Sequence, residues 1–234
     1  MEDALRRIVP DVEDVDLDDR ARLLELYAPP AVEWLRLNLV ASISGSAVGS
    51  DGTSETLTSR ADRRLLGVIR ELSDVVLVGA NSVRAEGYQL PRRSRLAVVT
   101  RSGDLGGHRL GDSERQAVVF GPESARAAAA ASIDARFVPL ADDSMPTLVD
   151  ALRAEGFASI VCEGGPNLAA QLIDAGLVDE LCLTTSPRVN GGALPVLGSA
   201  AAPDLPATLT QLLIDDDDGT LFARWRLLRR SVKP

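Results

Sequence analysis

The sequence predicts an α/β fold with a mostly parallel central sheet, helices on both faces of the sheet and an antiparallel hairpin at the C-terminus. Short, uninterrupted apolar runs recur along the chain, as in strands buried on both faces. Segments of helical periodicity separate several of these runs, which favours parallel crossovers. With 234 residues, 45% of them hydrophobic, the chain can build one large core, and we expect one domain rather than two.

The apolar runs predict strands, of which "DVVLVGA" is typical of a buried parallel strand and "VEWLRLNLVASI" alternates before it turns apolar. The strands are expected near residues 35–43, 75–80, 96–100, 117–120, 137–140, 158–162 and 180–185.

Four intervening segments predict helices: "SRADRRLLGVIRELS", "SARAAAAASIDA", "MPTLVDALRAEG" and "PNLAAQLIDAGL". The first begins at a Ser/Thr cap pair, and its apolar side chains recur at helical spacing. The third ends at Gly156, a residue type that commonly terminates helices.

The two ends of the chain differ from this alternation. Residues 1–30 are acidic and partly helical in pattern and end at Pro29-Pro30, so we expect an N-terminal packing arm or mobile extension before a domain over residues 31–234. The tail "TLTQLLIDDDDGTLFARWRLLRR" predicts two strands around an Asp-Gly turn, with Asp215–Asp218 as a solvated turn.

Charge and composition exclude several functional classes. The net charge of −9 disfavours a nucleic-acid surface or an anionic membrane as partner, but it permits a small anionic ligand. Cys162 and Cys182 lie in apolar runs, so buried free thiols are favoured over a disulfide or metal pair. The single histidine, His108, lies in a polar stretch and is expected to be solvated, which leaves no ligand set for zinc and no base for a Ser–His–Asp triad.

No targeting segment is apparent in the sequence. The first residues, "MEDALRRIVPDVEDVDLDDR", lack the apolar core of a signal peptide, and no apolar run approaches the ~18 residues of a membrane span. We therefore expect a cytoplasmic protein.

The stretch "VCEGGPNLAAQL" joins a buried strand to a helix through Gly164, Gly165 and Pro166. Ligands of such sheets bind beyond the carboxyl ends of the strands. The glycines allow close backbone approach, and proline suits the first helical position. The amides and dipole of the first helical turn then favour an anion, for which a pyrophosphate is the natural candidate. A tight turn without a ligand is the alternative.

Two further strand ends carry residues suited to phosphate. "DVVLVGANSVRAEGY" runs from a strand into Gly79, Asn81, Ser82 and Glu86. "AVVTRSGD" ends a strand at Thr100, Arg101 and Ser102, and an arginine beside hydroxyls suits the 2′-phosphate of NADPH, although a surface arginine is the alternative.

Three segments resemble a known family: "LNLVASISG", "TLTSRADRRLLGVIRELSDVVLVGANSVRAEGY" and "VCEGGPNLAAQLIDAGLVDELCLTTSPRVNGG". They are similar to the reductase domain of the riboflavin pathway, which forms the C-terminal half of the bifunctional bacterial deaminase–reductase and also occurs alone. The resemblance covers roughly residues 31–230 and implies a fold like that of dihydrofolate reductase. The zinc-ligand motifs of the deaminase half do not occur in this sequence, so deaminase activity is not expected.

The resemblance implies an NADPH-dependent oxidoreductase that transfers a hydride to the ribosyl C1′ of 5-amino-6-(5-phosphoribosylamino)uracil, in a homodimer. Two alternatives stay open: a reductase of dihydrofolate or another pterin, and a non-catalytic NADPH-binding homologue.

The resemblance and the strand-end residues together imply a set of site residues. The cofactor-binding positions are Val40, Thr56, Gly79, Ser82, Glu86, Thr100, Arg101, Ser102, Gly164, Gly165, Asn167 and Leu168. The substrate-binding positions are Ser54, Arg63, Arg92 (or Arg93) and Glu163. Glu163 is the favoured catalytic residue, and Glu86 or water are the other candidate proton sources. The alternative for Glu163 is an acid that only stabilises the N-terminus of the following helix through the helix dipole. No metal is expected.

The sequence also departs from the family at several of these positions. Ser44 stands where the family has an aspartate, Thr56 where it has a tryptophan and Asn38 where it has a lysine. These differences bear on the substrate more than on the cofactor. The loss of the acid at Ser44 argues against a pterin.

Overall fold

A computed structural model of the protein describes residues 4–85, 95–108, 110, 117–191, 194–198 and 204–228. The strands are Ala4–Val9 (β1), Glu13–Asp16 (β2), Trp34–Ser42 (β3), Val75–Gly79 (β4), Arg95–Val99 (β5), Ala117–Pro122 (β6), Arg136–Leu140 (β7), Ser159–Gly164 (β8), Glu180–Ser186 (β9), Ala207–Ile214 (β10) and Leu221–Leu227 (β11). The helices are Arg20–Tyr27 (α1), Arg60–Glu71 (α2), Ala80–Ala85 (α3), Arg126–Ser132 (α4), Met145–Ala154 (α5) and Pro166–Asp174 (α6).

All of these strands belong to one sheet, in the order β2-β1-β10-β11-β9-β3-β8-β4-β5-β6-β7. Pairing is parallel from β9 through β3, β8, β4, β5 and β6 to β7. It is antiparallel from β9 through β11 and β10 to β1 and β2. The predicted α/β class, the mostly parallel sheet and the C-terminal antiparallel hairpin are confirmed.

Helices cover both faces because consecutive side chains of a strand point to opposite sides. In β4, Val76 and Val78 pack in the core that holds α2, whereas Val75 and Leu77 pack in the core that holds α5 and α6. Both faces of the strand are therefore buried, which explains its uninterrupted apolar run. The four predicted helices form as α2, α4, α5 and α6.

The N-terminal segment extends the sheet. The sequence predicts a packing arm or a mobile extension over residues 1–30, and β1 packs as a strand antiparallel to β10, with Leu5 buried. Arg36 donates to the Tyr27 carbonyl across 2.8 Å, and Arg224 donates to that of Leu26, so the end of α1 is tied to β3 and β11.

Other local expectations have mixed outcomes. Cys162 and Cys182 are buried free thiols, as predicted, and burial raises the pKa of each to about 12. His108 is half-buried instead of solvated: its Nε2 lies 3.0 Å from the Ser132 carbonyl, and its Nδ1 accepts from the Leu110 amide. The stretch after β4, for which no helix is predicted, forms the short helix α3. In the described part of the chain, none of the helices is both long and apolar enough to cross a membrane.

Candidate active site

A cleft of about 1470 Å³ opens along the carboxyl ends of the parallel strands. Its walls include Val40 of β3, Gly79 of β4, Gly121 of β6, Leu140 of β7 and Gly165 after β8. These residues meet because parallel strands present their carboxyl ends at one edge of the sheet. The edge expected from sequence to bind a ligand is therefore the edge that holds the cleft.

The β8–α6 junction forms one end of the cleft. Strand β8 ends at Gly164, whose φ of +96° is accessible to glycine but rarely to other residues, and the Gly164–Gly165 peptide is cis. Gly165 is the N-cap of α6 and has no side chain with which to cap it, so the positive end of the helix dipole faces the cleft through backbone alone. Asn167 and Leu168 also line the cleft there. This geometry suits an anion.

The β4–α3 junction lies directly against the β8–α6 junction. A Cβ built on Gly165 would stand 3.3 Å from the Ser82 hydroxyl oxygen, and one built on Gly79 would stand 3.8 Å from the Gly165 nitrogen. The structure thus brings together Gly79, Ser82, Gly164 and Gly165, as the sequence predicts.

The third junction follows β5. Arg101 and Ser102 are exposed residues that line the cleft, and the Arg101 guanidinium can bind a phosphate. Thr100 also lines it but is buried, and its hydroxyl accepts a hydrogen bond from the Gly103 amide across 3.0 Å. Thr100 therefore shapes the loop that presents the other two residues.

Glu163 projects into the cleft beside an arginine that the sequence analysis does not single out. Arg70, in the last turn of α2, donates to both Glu163 carboxylate oxygens, each across 2.7 Å. The Glu163 side chain is 9% exposed and that of Arg70 22%. Bidentate pairs of this kind fix the carboxylate in one orientation. Helix α2 thereby sets the orientation of the Glu163 carboxylate at the cleft wall.

The remaining predicted substrate residues are distributed unevenly. Ser54 and Arg63 line the cleft, and Arg63 pairs with exposed Glu55 across 3.0 Å. Thr56, predicted at the cofactor, is absent from the described lining of the cleft, and its hydroxyl lies 3.2 Å from an Asp51 carboxylate oxygen. Glu86 and Arg92, with its neighbour Arg93, lie outside the described residues.

Asp62 is a cleft residue that sequence reasoning missed. It is 7% exposed, and its Oδ1 accepts a hydrogen bond of 2.6 Å from the Thr184 hydroxyl. Burial raises the pKa of the Asp62 carboxyl. An acid in the first turn of a helix normally indicates only a favourable dipole contact, and nothing in the sequence indicates that β9 lies opposite.

Ser44, where the family has an aspartate, lies outside the cleft. Its hydroxyl donates to the Asn190 carbonyl across 2.6 Å and joins a network with the Ser42 hydroxyl. In the described part of the chain, His, Cys, Asp and Glu side chains form no group of three or more that could hold a metal ion.

Comparison with known families gives one decisive match, to the family described as the RibD C-terminal domain, over residues 33–216. The chain belongs to the RibD C-terminal domain family. The resemblance noted in the sequence is thereby confirmed. Strands β1, β2 and β11 and helix α1 lie outside the matched region of this family member.

Among curated proteins, the RibD-family chain is similar to the riboflavin biosynthesis protein RibD of Mycobacterium tuberculosis strain H37Rv. The two are 25% identical over 184 residues, which cover 77% of this chain and 49% of that protein. The chain thus spans about half the length of this curated relative.

Two solved structures have the same fold. A pyrimidine reductase-like protein from Corynebacterium diphtheriae superposes with a TM-score of 0.73 at 22% identity, covering 88% of this chain and 99% of that one. The second structure is a diaminohydroxyphosphoribosylaminopyrimidine deaminase/5-amino-6-(5-phosphoribosylamino)uracil reductase from Thermotoga maritima. It superposes with a TM-score of 0.67 at 20% identity, covering 84% of this chain and 57% of that one. The fold is thus that of the RibD reductases.

Proposed function

We propose that this protein is an NADPH-dependent reductase of 5-amino-6-(5-phosphoribosylamino)uracil in riboflavin biosynthesis. Membership of the RibD C-terminal domain family and the names of the Mycobacterium and Thermotoga relatives support the reaction class. One structural observation carries the proposal: the Ser82 and Gly165 junctions meet at one end of a cleft that also holds the Arg70–Glu163 pair. A cofactor site and a polar substrate site therefore share one cavity.

The residues present fit a dinucleotide. Gly165 leaves its backbone uncovered beside the Ser82 hydroxyl, which a Cβ would approach to 3.3 Å, and the uncapped start of α6 favours negative charge. Drug-sized ligands fill cavities of about 300–1,000 Å³. The cleft of about 1470 Å³ can therefore hold a cofactor together with a substrate.

Each end of the cleft has a distinct role in this proposal. Gly164, Gly165, Asn167 and Leu168 bind the pyrophosphate with Gly79 and Ser82 opposite, while Arg101 and Ser102 bind the 2′-phosphate. The backbone at Val40 contacts the nicotinamide. NADPH, when bound, supplies the hydride. Thr56 is left out because its hydroxyl is directed to Asp51. Glu86 and Arg92 stay predictions from the sequence.

At the substrate end, the chain orients a ribosylaminopyrimidine and excludes water. The reaction forms a C–H bond at C1′ with the hydride and breaks the C1′–O4′ bond of the ribose. O4′ takes up one proton, for which Glu163, Glu86 and water are the candidate sources. Glu163 accepts hydrogen bonds from substrate donors and is kept in position by Arg70, whereas Arg63 and Ser54 hold polar groups near the cleft entrance. Orienting donor and acceptor carbons to about 3–3.5 Å can account for several kcal/mol of the barrier.

The test is a steady-state assay of the purified protein with NADPH and 5-amino-6-(5-phosphoribosylamino)uracil, with product mass as the readout. We expect a product two hydrogens heavier than the substrate and a lower KM for NADPH than for NADH. Dihydrofolate is the parallel substrate. Preferential reduction of dihydrofolate would show that the substrate is a pterin and not the pyrimidine. NADPH binding without turnover of either substrate would show that the protein is a non-catalytic homologue.

A thermal melt tests the cofactor separately, because a ligand that binds only the folded state must raise its stability. A midpoint that does not move with NADPH in excess would contradict the proposal. The cytoplasmic location and the homodimer stay predictions, and light scattering on the purified protein tests the second.

A further inference from the structure

A buried carboxyl in the cleft wall has no role in the reductase site described above. Asp62 occupies the first turn of α2, and its backbone amide donates to the Ser59 hydroxyl, which caps the helix. The Asp62 side chain is therefore not needed as the cap. Its carboxyl instead reaches across to β9, where Thr184, itself 6% exposed, donates to Oδ1.

The second oxygen of this carboxyl is available to a ligand. In the described part of the chain, Oδ2 of Asp62 has no hydrogen-bond partner, yet it is not among the buried side-chain atoms left unsatisfied there. Asp62 lines the cleft. Oδ2 therefore retains access to solvent at a residue of the cleft wall, while the Thr184 hydroxyl fixes the orientation of the group.

The position of Asp62 assigns it to the substrate end. Asp62 and Asn38 line the cleft and also a small cavity behind it that includes Tyr27, Cys182 and Thr184. The charged groups that act on Asp62 are Arg63 of its own helix and Glu163 of β8, which Arg70 pairs. None of these belongs to the proposed phosphate-binding residues around α6.

We propose that Asp62 is a substrate-binding residue whose carboxyl pairs with the –NH–CO– edge of the pyrimidinedione ring. This inference rests on the proposed function and adds to it the residue that recognises the heterocycle. A protonated carboxyl offers an O–H donor beside a carbonyl acceptor, which matches the C=O and N–H of a lactam in two parallel hydrogen bonds. The Oδ1 that accepts from Thr184 has a second lone pair for the lactam N–H.

The environment favours the protonated form. Burial raises the pKa of Asp62, and Glu163 acts in the same direction, whereas the Thr184 hydrogen bond and Arg63 act against them. The net shift is upward, so the carboxyl retains its proton at a pH where an exposed aspartate has lost it. An ionised carboxylate would only accept hydrogen bonds and would select an amidine-type edge instead.

Two substitutions at Asp62 separate these possibilities. A primary amide presents the same donor and acceptor as a protonated carboxyl, so Asp62→Asn should keep a KM for 5-amino-6-(5-phosphoribosylamino)uracil close to that of the wild type. Asp62→Ala should raise it about tenfold or more, the effect of losing buried hydrogen bonds, with the KM for NADPH unchanged. Asp150→Asn, at an exposed position of α5, is the matched control and should change neither.

The pH dependence supplies a readout that a purely structural role would not move. In the wild type, the KM for the pyrimidine should rise as pH increases through the pKa of Asp62, whereas in Asp62→Asn it should stay flat. The proposal is overturned if Asp62→Ala has the KM of the wild type, or if Asp62→Asn is as impaired as Asp62→Ala. An Asp62→Asn profile that parallels the wild type also overturns it.

Binding of 5,6-diaminouracil, the ring without its ribose phosphate, distinguishes this proposal from the proposed function. Calorimetry should detect it with the wild type and Asp62→Asn but not with Asp62→Ala. If this pattern holds while no ribosylaminopyrimidine is reduced, the proposed function fails and the role of Asp62 stands. If the pyrimidine is reduced but the three proteins bind the ring equally, only the role of Asp62 fails. If the wild type neither binds nor reduces, both fail.

Discussion

The Arg70 guanidinium donates to both carboxylate oxygens of Glu163, each across 2.7 Å, and thereby links α2 to the end of β8. Glu163 is the second-last residue of β8 and directly precedes the glycine pair. Arg70 holds its carboxylate in one orientation. The two residues are 93 positions apart in sequence, and only the packing of α2 against the sheet brings them together.

Replacing Arg70 should therefore impair substrate use more than cofactor binding. In Arg70→Ala, we expect the kcat/KM for the pyrimidine to fall by about tenfold or more, as for the loss of a charge-assisted pair, while the KM for NADPH stays unchanged. Arg70→Lys should recover only part, because a lysine cannot reproduce the planar fork. Steady-state kinetics with each substrate varied in turn measures this.

The matched control for Arg70 is Arg126, which forms a bidentate pair with Glu123 at hydrogen-bond distances of 2.6 and 2.9 Å. Both partners are exposed at the start of α4, away from the described cleft lining. Arg126→Ala should leave the kinetics unchanged and have little effect on stability, because exposed pairs contribute little. If the two variants had the same kinetics, the orienting role of Arg70 would be refuted.

A side chain at residue 165 should obstruct the phosphate site without unfolding the protein. The φ of Gly165 is −64°, which any residue adopts, so Gly165→Ala introduces no backbone strain. Its Cβ, however, would stand 3.3 Å from the Ser82 hydroxyl oxygen, where the two junctions meet. We expect the Kd for NADPH, measured by fluorescence titration, to rise about tenfold or more.

Gly67→Ala is the matched control, because Gly67 lies away from the proposed phosphate site. It lies in the interior of α2, is exposed, and a Cβ built there meets no atom within 4 Å. Gly67→Ala should leave the Kd for NADPH unchanged and stabilise the protein by about 0.5–1 kcal/mol, because alanine is the better helix former. An unchanged NADPH affinity in folded Gly165→Ala would show that the anion site lies elsewhere.

The sequence predicts the central strands well and the edge of the sheet poorly, for a physical reason. Strands such as β4 are buried on both faces, so their apolar runs are visible locally. Strand β1, "ALRRIV", and β2, "EDVD", carry charges at the sheet edge, where one face or the outer side meets water. Strand β10, the partner of β1, lies some two hundred residues away, as the pairing of Arg6 with Ile214 shows.

The residues of the candidate site likewise fall into those that the sequence predicts and those that it does not. Residues that directly follow a buried strand, such as Gly165 and Arg101, are predictable because parallel strand ends converge on one edge. Asp62 and Thr184 are 122 positions apart, on a helix and on a different strand, and each has an ordinary local explanation. Thr56 shows the reverse case: its position in the family pattern suggests the cofactor, but its hydroxyl is directed to Asp51.

Removing one partner from the buried cluster of Arg36, Glu180 and Arg224 should strongly destabilise the protein. Glu180 pairs with both arginines, at 2.7 Å from the Arg224 Nη2, and all three side chains are nearly inaccessible to solvent. Glu180→Gln would leave two buried cations without their anion. Removing one partner of a buried pair costs about 3–5 kcal/mol, which urea unfolding would measure.

The pH dependence of this loss has a definite sign. Burial acts to raise the pKa of Glu180, but Arg36 and Arg224 outweigh it, and the pKa is lowered below the ordinary value of 4.5. The contribution of Glu180 is therefore complete above pH 4.5 and is lost as pH falls through the lowered pKa. The deficit of Glu180→Gln should shrink in acid.

An exposed pair serves as the reference for the Glu180 cluster. Arg6 donates to Asp216 across 2.7 Å, joining β1 to the β10–β11 turn, and both side chains are about half exposed. Asp216→Asn should shift the urea midpoint only slightly, because exposed pairs contribute little. A Glu180→Gln variant no less stable than Asp216→Asn would mean that the buried cluster is energetically neutral.

The charge state of Asp62 can be tested without any ligand, and its sign is opposite to that of Glu180. Because the pKa of Asp62 is raised, the folded protein holds this proton more tightly than the unfolded chain, whose carboxyl titrates near the ordinary value of 3.8. Its stabilising contribution is therefore present below pH 3.8 and is lost as pH rises through the raised pKa. Asp62→Asn cannot ionise, so its melting temperature should rise relative to that of the wild type as pH increases through this interval. Above the interval, the difference between the two melting temperatures should stay constant.

In Asp150→Asn, at an exposed position, the difference in melting temperature from the wild type should not change with pH. A constant difference for Asp62→Asn across the same range would mean that the carboxyl is ionised in the folded protein as readily as in the unfolded chain, and the pairing with a lactam would lose its donor.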